Sequence, residues 1–355
     1  GIDLVREQIR VAEGHRLEWS QTDLVPLGAA LEVRLYAEDP SNGFLPASGP
    51  VDLFDVNDPE ARVDSGVATG GEVSIHYDPM IAKIITHGQD RAEAIRKMIH
   101  ALERTAIAGL TTNREFLIDI LGHSEFQAGH THTHFIAEQY GTSWTPPVSG
   151  TFRQSAALVA ALTDQRDRQT QQPIPSIRTG FRNNPYAAQW VEYRIGDDTV
   201  RAEYTNLGGG EFRVNAGAES EIWRIEWPDA HSAVWTNPSG LRHRARVEAV
   251  GSGWFVLIDG QSALLEEMPR FPDKQEEAVA GGHNAPMPGK VLSVRVAPGD
   301  RVSQGDVLLI LEAMKMEQSI TADTDGEVAQ VLVSEGEQVD ADQPLIILST
   351  EEDNA

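Results

Sequence analysis

The 355-residue sequence contains no cysteine. That absence excludes disulfides, thiolate metal sites and cysteine nucleophiles, and it suits a reducing compartment. No apolar run reaches the roughly 18 to 20 residues that a membrane helix needs, and no signal-peptide pattern opens the chain. Cations are scarce: 29 Lys and Arg stand against 54 Asp and Glu, a formal net charge of -25. A surface this acidic repels phosphate backbones and anionic bilayers, so neither nucleic acid nor membrane is an expected partner. Phosphate-loop spacing is also missing; "ATGGEVS" (68–74) and "NLGGGEF" (206–212) read as hairpin turns. The first residue is Gly1 and not methionine, as in a piece of a longer protein.

What is present divides into stretches with different habits, and the length suits two or three domains. Residues 1–140 mix helices and strands. "DRAEAIRKMIHALERTAI" (90–107) sets Asp90 and Glu93 at capping-box spacing, with Ile95, Met98, Ile99 and Leu102 on one helical face. "TTNREFLIDILG" (111–122) repeats the scheme with Thr112, Glu115 and a stop at Gly122, while "LEVRLYAED" (31–39) alternates as a strand with one buried face does. Residues 141–267 hold one helix, 152–169, and then short alternating runs with five of the seven tryptophans, which predicts an antiparallel sheet or barrel wrapped on that helix. Residues 268–284 are polar and without period, a linker.

The last stretch, 285–350, is an internal repeat. Residues 289–313 lie over 326–350 at a constant offset of 37, with nine identities in twenty-five positions, including Gly289/Gly326, Val291/Val328, Gly299/Gly336 and Leu308/Leu345. Matches at apolar strand positions and turn glycines predict two similar halves packed face to face about a pseudo-two-fold axis. "EAMKME" follows the first half, so Lys315, with Met314 and Met316 on either side, falls in the connection between strands, the most exposed place on a small sandwich. A solvated lysine beside two hydrophobes is the plain reading of such a residue.

The repeat, the position of the lysine and the string Glu312, Ala313, Met314, Lys315, Met316 together resemble the biotinyl domain of biotin-dependent carboxylases. In that family the lysine of the A-M-K-M string carries biotin, so the resemblance implies a flattened β-sandwich of the biotinyl/lipoyl type with Lys315 as the attachment site. Lipoyl domains share the fold but typically show Asp-Lys-Ala at the tip. Likewise "LEVRLYAEDPSNGFLPASGPV" (31–51), "HYDPMIAKIITHG" (76–88), "AIAGLTTN" (106–113) and "GIDLVREQIRVAEG" (1–14) resemble the C-terminal lobe of biotin carboxylase. The arginine before the A-E-D-P turn of that family stabilises deprotonated biotin during attack on CO2; here it is Arg34, for which a salt bridge to Glu32 or Glu38 is the plain alternative. Where the family often has Gly-His-Ala, this chain has Gly28, Ala29 and Ala30.

The resemblance extends to the middle region, which looks like the β-subunit-binding (BT) domain of propionyl- and 3-methylcrotonyl-type acyl-CoA carboxylases, with "TGFRNNP" (179–185) nearer the latter. It implies an α subunit whose partners are a carboxyltransferase β subunit, biotin protein ligase and carboxylase lobes of the same assembly. The acyl-CoA would be 3-methylcrotonyl-CoA, or alternatively propionyl- or acetyl-CoA. ATP with Mg2+ or Mn2+ belongs to the ATP-grasp region that precedes this lobe in the family, so these residues alone are expected to be inactive toward ATP. A non-catalytic carrier or assembly module is the reading from another class. The compartment implied is the cytoplasm of a bacterium or the mitochondrial matrix of a eukaryote. His130, His132 and His134 would share a face on a strand, yet the resemblance gives that segment a structural role, and no metal site is expected.

Overall fold

The structure is a computed structural model that describes residues 2–174, 187–217, 220–270, 282–313, 316–341 and 343–349. In the first lobe, strand Met80–Gly88 is the centre of a three-stranded antiparallel sheet, flanked by Ala29–Tyr36 and Arg62–Ser65. Alternation along Ala29–Tyr36 buries Val33 and Leu35 and exposes Glu32 and Arg34. Helix Arg91–Glu103 covers the buried face, and its Ile95, Met98 and Leu102 share a core with Val33, Ile84 and Leu121. Asp90 caps that helix by accepting from Glu93 N, while the Glu93 carboxylate reaches back to Gln89 N.

The second capping scheme is not formed. Helix Arg114–Gly122 has Asn113 at its N-cap with no side-chain cap bond, and the Glu115 carboxylate is drawn instead to Arg114 and Ser262. The segment 130–134 is also not a strand. His130 pairs with Glu125 and His132 with Glu138, on the surface, and no group of residues able to hold a metal occurs among the described residues.

Helix Gly150–Gln171 begins at Ser149, whose hydroxyl accepts from Phe152 N. Every residue from Ala156 to Leu162 is fully buried. A helix buried on all sides must be surrounded, since a surface helix hides only one stripe. The surround is a closed antiparallel barrel of eight strands running in sequence order from Gln189–Ile195 to Gln261–Glu267, closed by the pairs Tyr193↔Glu267 and Arg194↔Glu266. Inward residues Tyr193, Tyr204, Phe212, Trp223, Ile225, Trp235 and Leu265 form one core with the helix. The segment 179–185, on which the nearness to 3-methylcrotonyl-type subunits rests, lies outside the described residues.

The last domain is two packed four-stranded sheets. Strands Gly289–Val294, Arg301–Val302 and Val307–Ala313 correspond, at the offset of 37 residues, to Gly326–Val331, Gln338–Val339 and Pro344–Ser349. Each half lends its short strand to the other half's sheet: Arg301–Val302 pairs with Gly326–Glu327, and Gln338–Val339 pairs with Gly289–Lys290. The bonds repeat as well. Val291 N donates to Glu337 O and Val328 N to Asp300 O, both at 2.9 Å, and both first strands bulge at the equivalent position. Strand Gly282–Asn284 joins the second sheet, ahead of the start expected at residue 285.

Candidate functional site

The two-fold symmetry of the sandwich breaks at one end. Strand Val307–Ala313 continues into a hairpin with Met316–Thr321, in register from Val307↔Thr321 to Ala313↔Met316. The equivalent partner in the other half is the short strand Gly282–Asn284, which comes from before the repeat and pairs only with Pro344, Ile346 and Ile347. The Ala313↔Met316 pair leaves Met314 and Lys315 as the connection between paired strands; both lie outside the described residues. One step back, Glu312 faces Glu317 across the hairpin and Lys290 on its other side, and Lys290 in turn faces Gln338. All four are exposed. Directly opposed carboxylates repel, so the neighbourhood favours a cation on this row. A free lysine amine is also the side chain that can be joined to a carboxylic acid through an amide, and such acylation removes its charge.

The second candidate, Arg34, stands on the outer face of the lobe sheet, its side chain 62% exposed. It faces Lys83 across the ladder. Its Nε lies 4.0 Å from Glu32, and Lys83 Nζ lies 3.9 Å from both Glu32 and Asp64. Glu38, the other ion-pair partner considered for it, makes no ion pair among the described residues. The neighbouring Tyr36 hydroxyl first, and the charges of Glu32 and Asp78 after it, raise the guanidinium above its ordinary value. A groove of about 380 Å³ runs beside it, lined by Glu32, Arg34, Tyr36, Glu38, Phe44 and Asn113 among others. Burial first, and Asp78 second, pushes the Glu38 carboxyl up.

The spacing of residues did not reveal what braces Arg34. Asn113, buried at the entry of its helix, donates from Nδ2 to Arg34 O at 3.3 Å and accepts from Tyr36 N at 2.9 Å; its own N–H donates to Tyr36 O. The strand that bears the arginine is thus clamped from the side by one amide. The only signal in the sequence was an asparagine directly before a helix, where a cap is expected instead. Lys83 opposite Arg34 was not read from the sequence, because the register of two strands far apart in the chain is not a local pattern.

Comparisons with known proteins bear on both places. Residues 32–138 match the biotin carboxylase C-terminal domain, and residues 283–348 match the domain described as biotin-requiring enzyme. The mitochondrial methylcrotonoyl-CoA carboxylase subunit alpha of Rattus norvegicus is 32% identical over 369 residues, covering 99% of this chain and 51% of that protein. The mitochondrial propionyl-CoA carboxylase alpha chain of Sus scrofa is 31% identical over 364 residues, covering 96% and 49%. Among solved structures, the biotin carboxylase domain of a thermophilic 2-oxoglutarate carboxylase bound to bicarbonate aligns at 34% identity over 41% of this chain and 33% of that one, with a TM-score of 0.39. The chain spans about half the length of the curated relatives it matches.

Proposed function

From a chain that carries a biotin carboxylase C-terminal domain and a biotinyl domain, and whose cofactor is biotin, we propose the C-terminal part of an acyl-CoA carboxylase α subunit. Lys315 is the biotin attachment site, within the string Glu312 to Met316, and Arg34 is the catalytic cation of the carboxylase lobe. The observation that carries the reading is the Ala313↔Met316 register in a sandwich that matches the biotinyl domain. Biotin bound through an amide supplies a ring nitrogen that can carry a carboxyl group from one site to another.

Each domain's own residues have a distinct task. Strands Val307–Ala313 and Met316–Thr321 pair up to Ala313↔Met316, so in sequence the lysine falls between two paired strands, where an attached group would be presented. Arg34 offers a planar donor that stays charged, which can stabilise an oxyanion without giving up its proton. Asn113 fixes the backbone beneath it. ATP, Mg2+ or Mn2+ and bicarbonate are taken up by the ATP-grasp region that carboxylases of this kind carry upstream. The barrel is the β-subunit-binding domain, and the carboxyltransferase β subunit holds the acyl-CoA. Identities of 32% and 31% do not separate methylcrotonoyl from propionyl relatives; 3-methylcrotonyl-CoA is favoured on residues 179–185. Biotin protein ligase installs the cofactor.

The test is intact mass after co-expression with a biotin ligase, for this chain and for Lys315→Arg. A gain of one biotinyl group that disappears in the variant is the expected result. A gain that survives the substitution, or no gain at all, returns the hairpin to a structural role.

A further inference from the structure

The lobe and the barrel share buried structure that goes beyond the needs of either. Leu53, Ala106 and Ala108 of the lobe form one cluster with Val250, Phe255 and Leu257 of the barrel. Beside it lies Arg114, 1% exposed. Its Nη1 donates to Leu102 O at 2.9 Å inside the lobe, and its Nη2 donates to Gly260 O at 2.9 Å and Ser262 Oγ at 3.0 Å on the barrel, and to the Glu115 carboxylate. Ser262 Oγ donates to the same Glu115 oxygen at 2.7 Å, which closes a ring of three side chains across the seam.

An arginine in the first turn of a helix is ordinarily solvated. Burying one is tolerated only where its donors are met, because an uncompensated buried charge is strongly destabilising. Here the partners come from both domains, so separating them would leave the charge with half its bonds. The approach is close: Gly260 has φ +80°, and a Cβ there would come within 2.8 Å of Glu103 Cγ. A second tie joins Arg246 of the barrel to Asp55 of the lobe and, at 3.0 Å, to Glu248.

The chain also leaves the barrel under restraint. Met268 N donates to Glu192 O at 2.8 Å, and Arg270 donates from Nη2 to Trp190 O at 2.9 Å. The Arg270 guanidinium lies 4.7 Å over the Trp190 ring, which Arg201 also covers at 4.3 Å. Eleven residues, 271–281, then separate Arg270 from the first sandwich strand. Whatever their conformation, they span at most about 40 Å.

We propose that Arg114, Glu115 and Ser262 lock the lobe and the barrel into one rigid body, so that the tether of the biotinyl domain starts at a fixed point relative to Arg34. These are positioning residues, which act through the place of Arg270 and not on a reacting atom. Their consequence for transfer rests on the carrier reading above; the lock itself does not. With a short tether, the volume the sandwich can reach is decided by where its origin is held, and a loosened seam would spread that origin.

The absence of cysteine allows spin labels to be placed at will. Double electron–electron resonance on this chain would compare Arg96→Cys/Arg213→Cys, spanning lobe and barrel, with Arg213→Cys/Gln330→Cys, spanning barrel and sandwich. A single narrow distance is expected for the first pair and a broad distribution for the second. Arg114→Ala should broaden the first pair until it resembles the second. Because that variant can unfold the lobe, Ser262→Ala/Asp55→Ala is measured beside it, with the same expectation and a retained far-ultraviolet spectrum. A first pair that is broad without these substitutions, or that stays narrow in both variants, overturns the lock. A narrow second pair overturns the mobile carrier and leaves the lock standing.

Discussion

Arg34 faces Lys83 across two antiparallel strands, and the Glu32 carboxylate lies 4.0 Å from the first and 3.9 Å from the second. Two cations directly opposed in a sheet repel each other, and Glu32 with Asp64 offsets the repulsion while leaving Arg34 open to solvent. The proposed role makes the planar fork, and not the charge alone, the property that matters. Arg34→Lys should therefore lower carboxylation of free biotin by the protein with its ATP-grasp region about 100-fold or more, while the unfolding free energy changes by no more than an ordinary surface substitution does, about 0.5 kcal/mol. Equal activity of the lysine variant would remove Arg34 from the catalytic set.

The barrel helix should carry much of the stability of its domain. Leu158 is fully buried at its centre, so Leu158→Ala removes apolar contact and leaves a cavity, a loss of about 2 to 5 kcal/mol. Urea denaturation followed by tryptophan fluorescence reads this directly, because five tryptophans lie between residues 190 and 254. A loss near zero would mean that the helix does not fill the barrel.

Gly109 has φ +106°, and a Cβ there would lie 2.3 Å from Pro50 O and 2.8 Å from Asp52 N. Gly109→Ala thus combines backbone strain with a contact that only backbone movement can relieve. We expect a loss of about 2 to 5 kcal/mol in the lobe, measured by denaturant titration. Stability equal to the parent would show that the turn can relax.

Glu103 lies on the lobe side of the seam. Burial first pushes its carboxyl up, and Asp259 adds to that against His100 and Arg114. The folded state therefore holds this proton more tightly than the unfolded chain does, so the stability it contributes is present below the ordinary carboxylate range and fades as pH rises through the raised value. Glu103→Gln should match the parent near pH 4 and become the more stable of the two toward pH 7. Thermal melts across that range check the sign, and a parent that gains on the variant with rising pH would contradict it.

The parts of the fold written as local pattern were legible in the sequence. Alternation placed Val33 and Leu35 inside and Arg34 outside, and the offset of 37 residues matched the strands of the two halves of the sandwich, while the bulges they share emerged only from the structure. Features that depend on distant partners were not legible. Thr112 and Glu115 had capping spacing, yet Glu115 binds Arg114 and Ser262, because a serine 147 residues away offers a buried charge pair its missing bond. Asn113 likewise spends its side chain on the strand of Arg34 and not on its own helix. The alternating histidines suggested a shared face, but their segment is irregular, with His130 paired to Glu125 and His132 to Glu138.

The barrel closes on itself, since Tyr193 and Arg194 of its first strand pair with Glu267 and Glu266 of its last. Among the described residues its strands thus form a ring with no end strand, and a visiting strand has no sheet end to extend. A protein that recognises the barrel must read side chains and turns, and a strand-mimicking peptide would find no purchase there. The sandwich differs: Met316–Thr321 and Gly282–Asn284 each end a sheet. Peptide inhibitors built on backbone pairing would thus be directed to the lysine-bearing domain and spare the barrel.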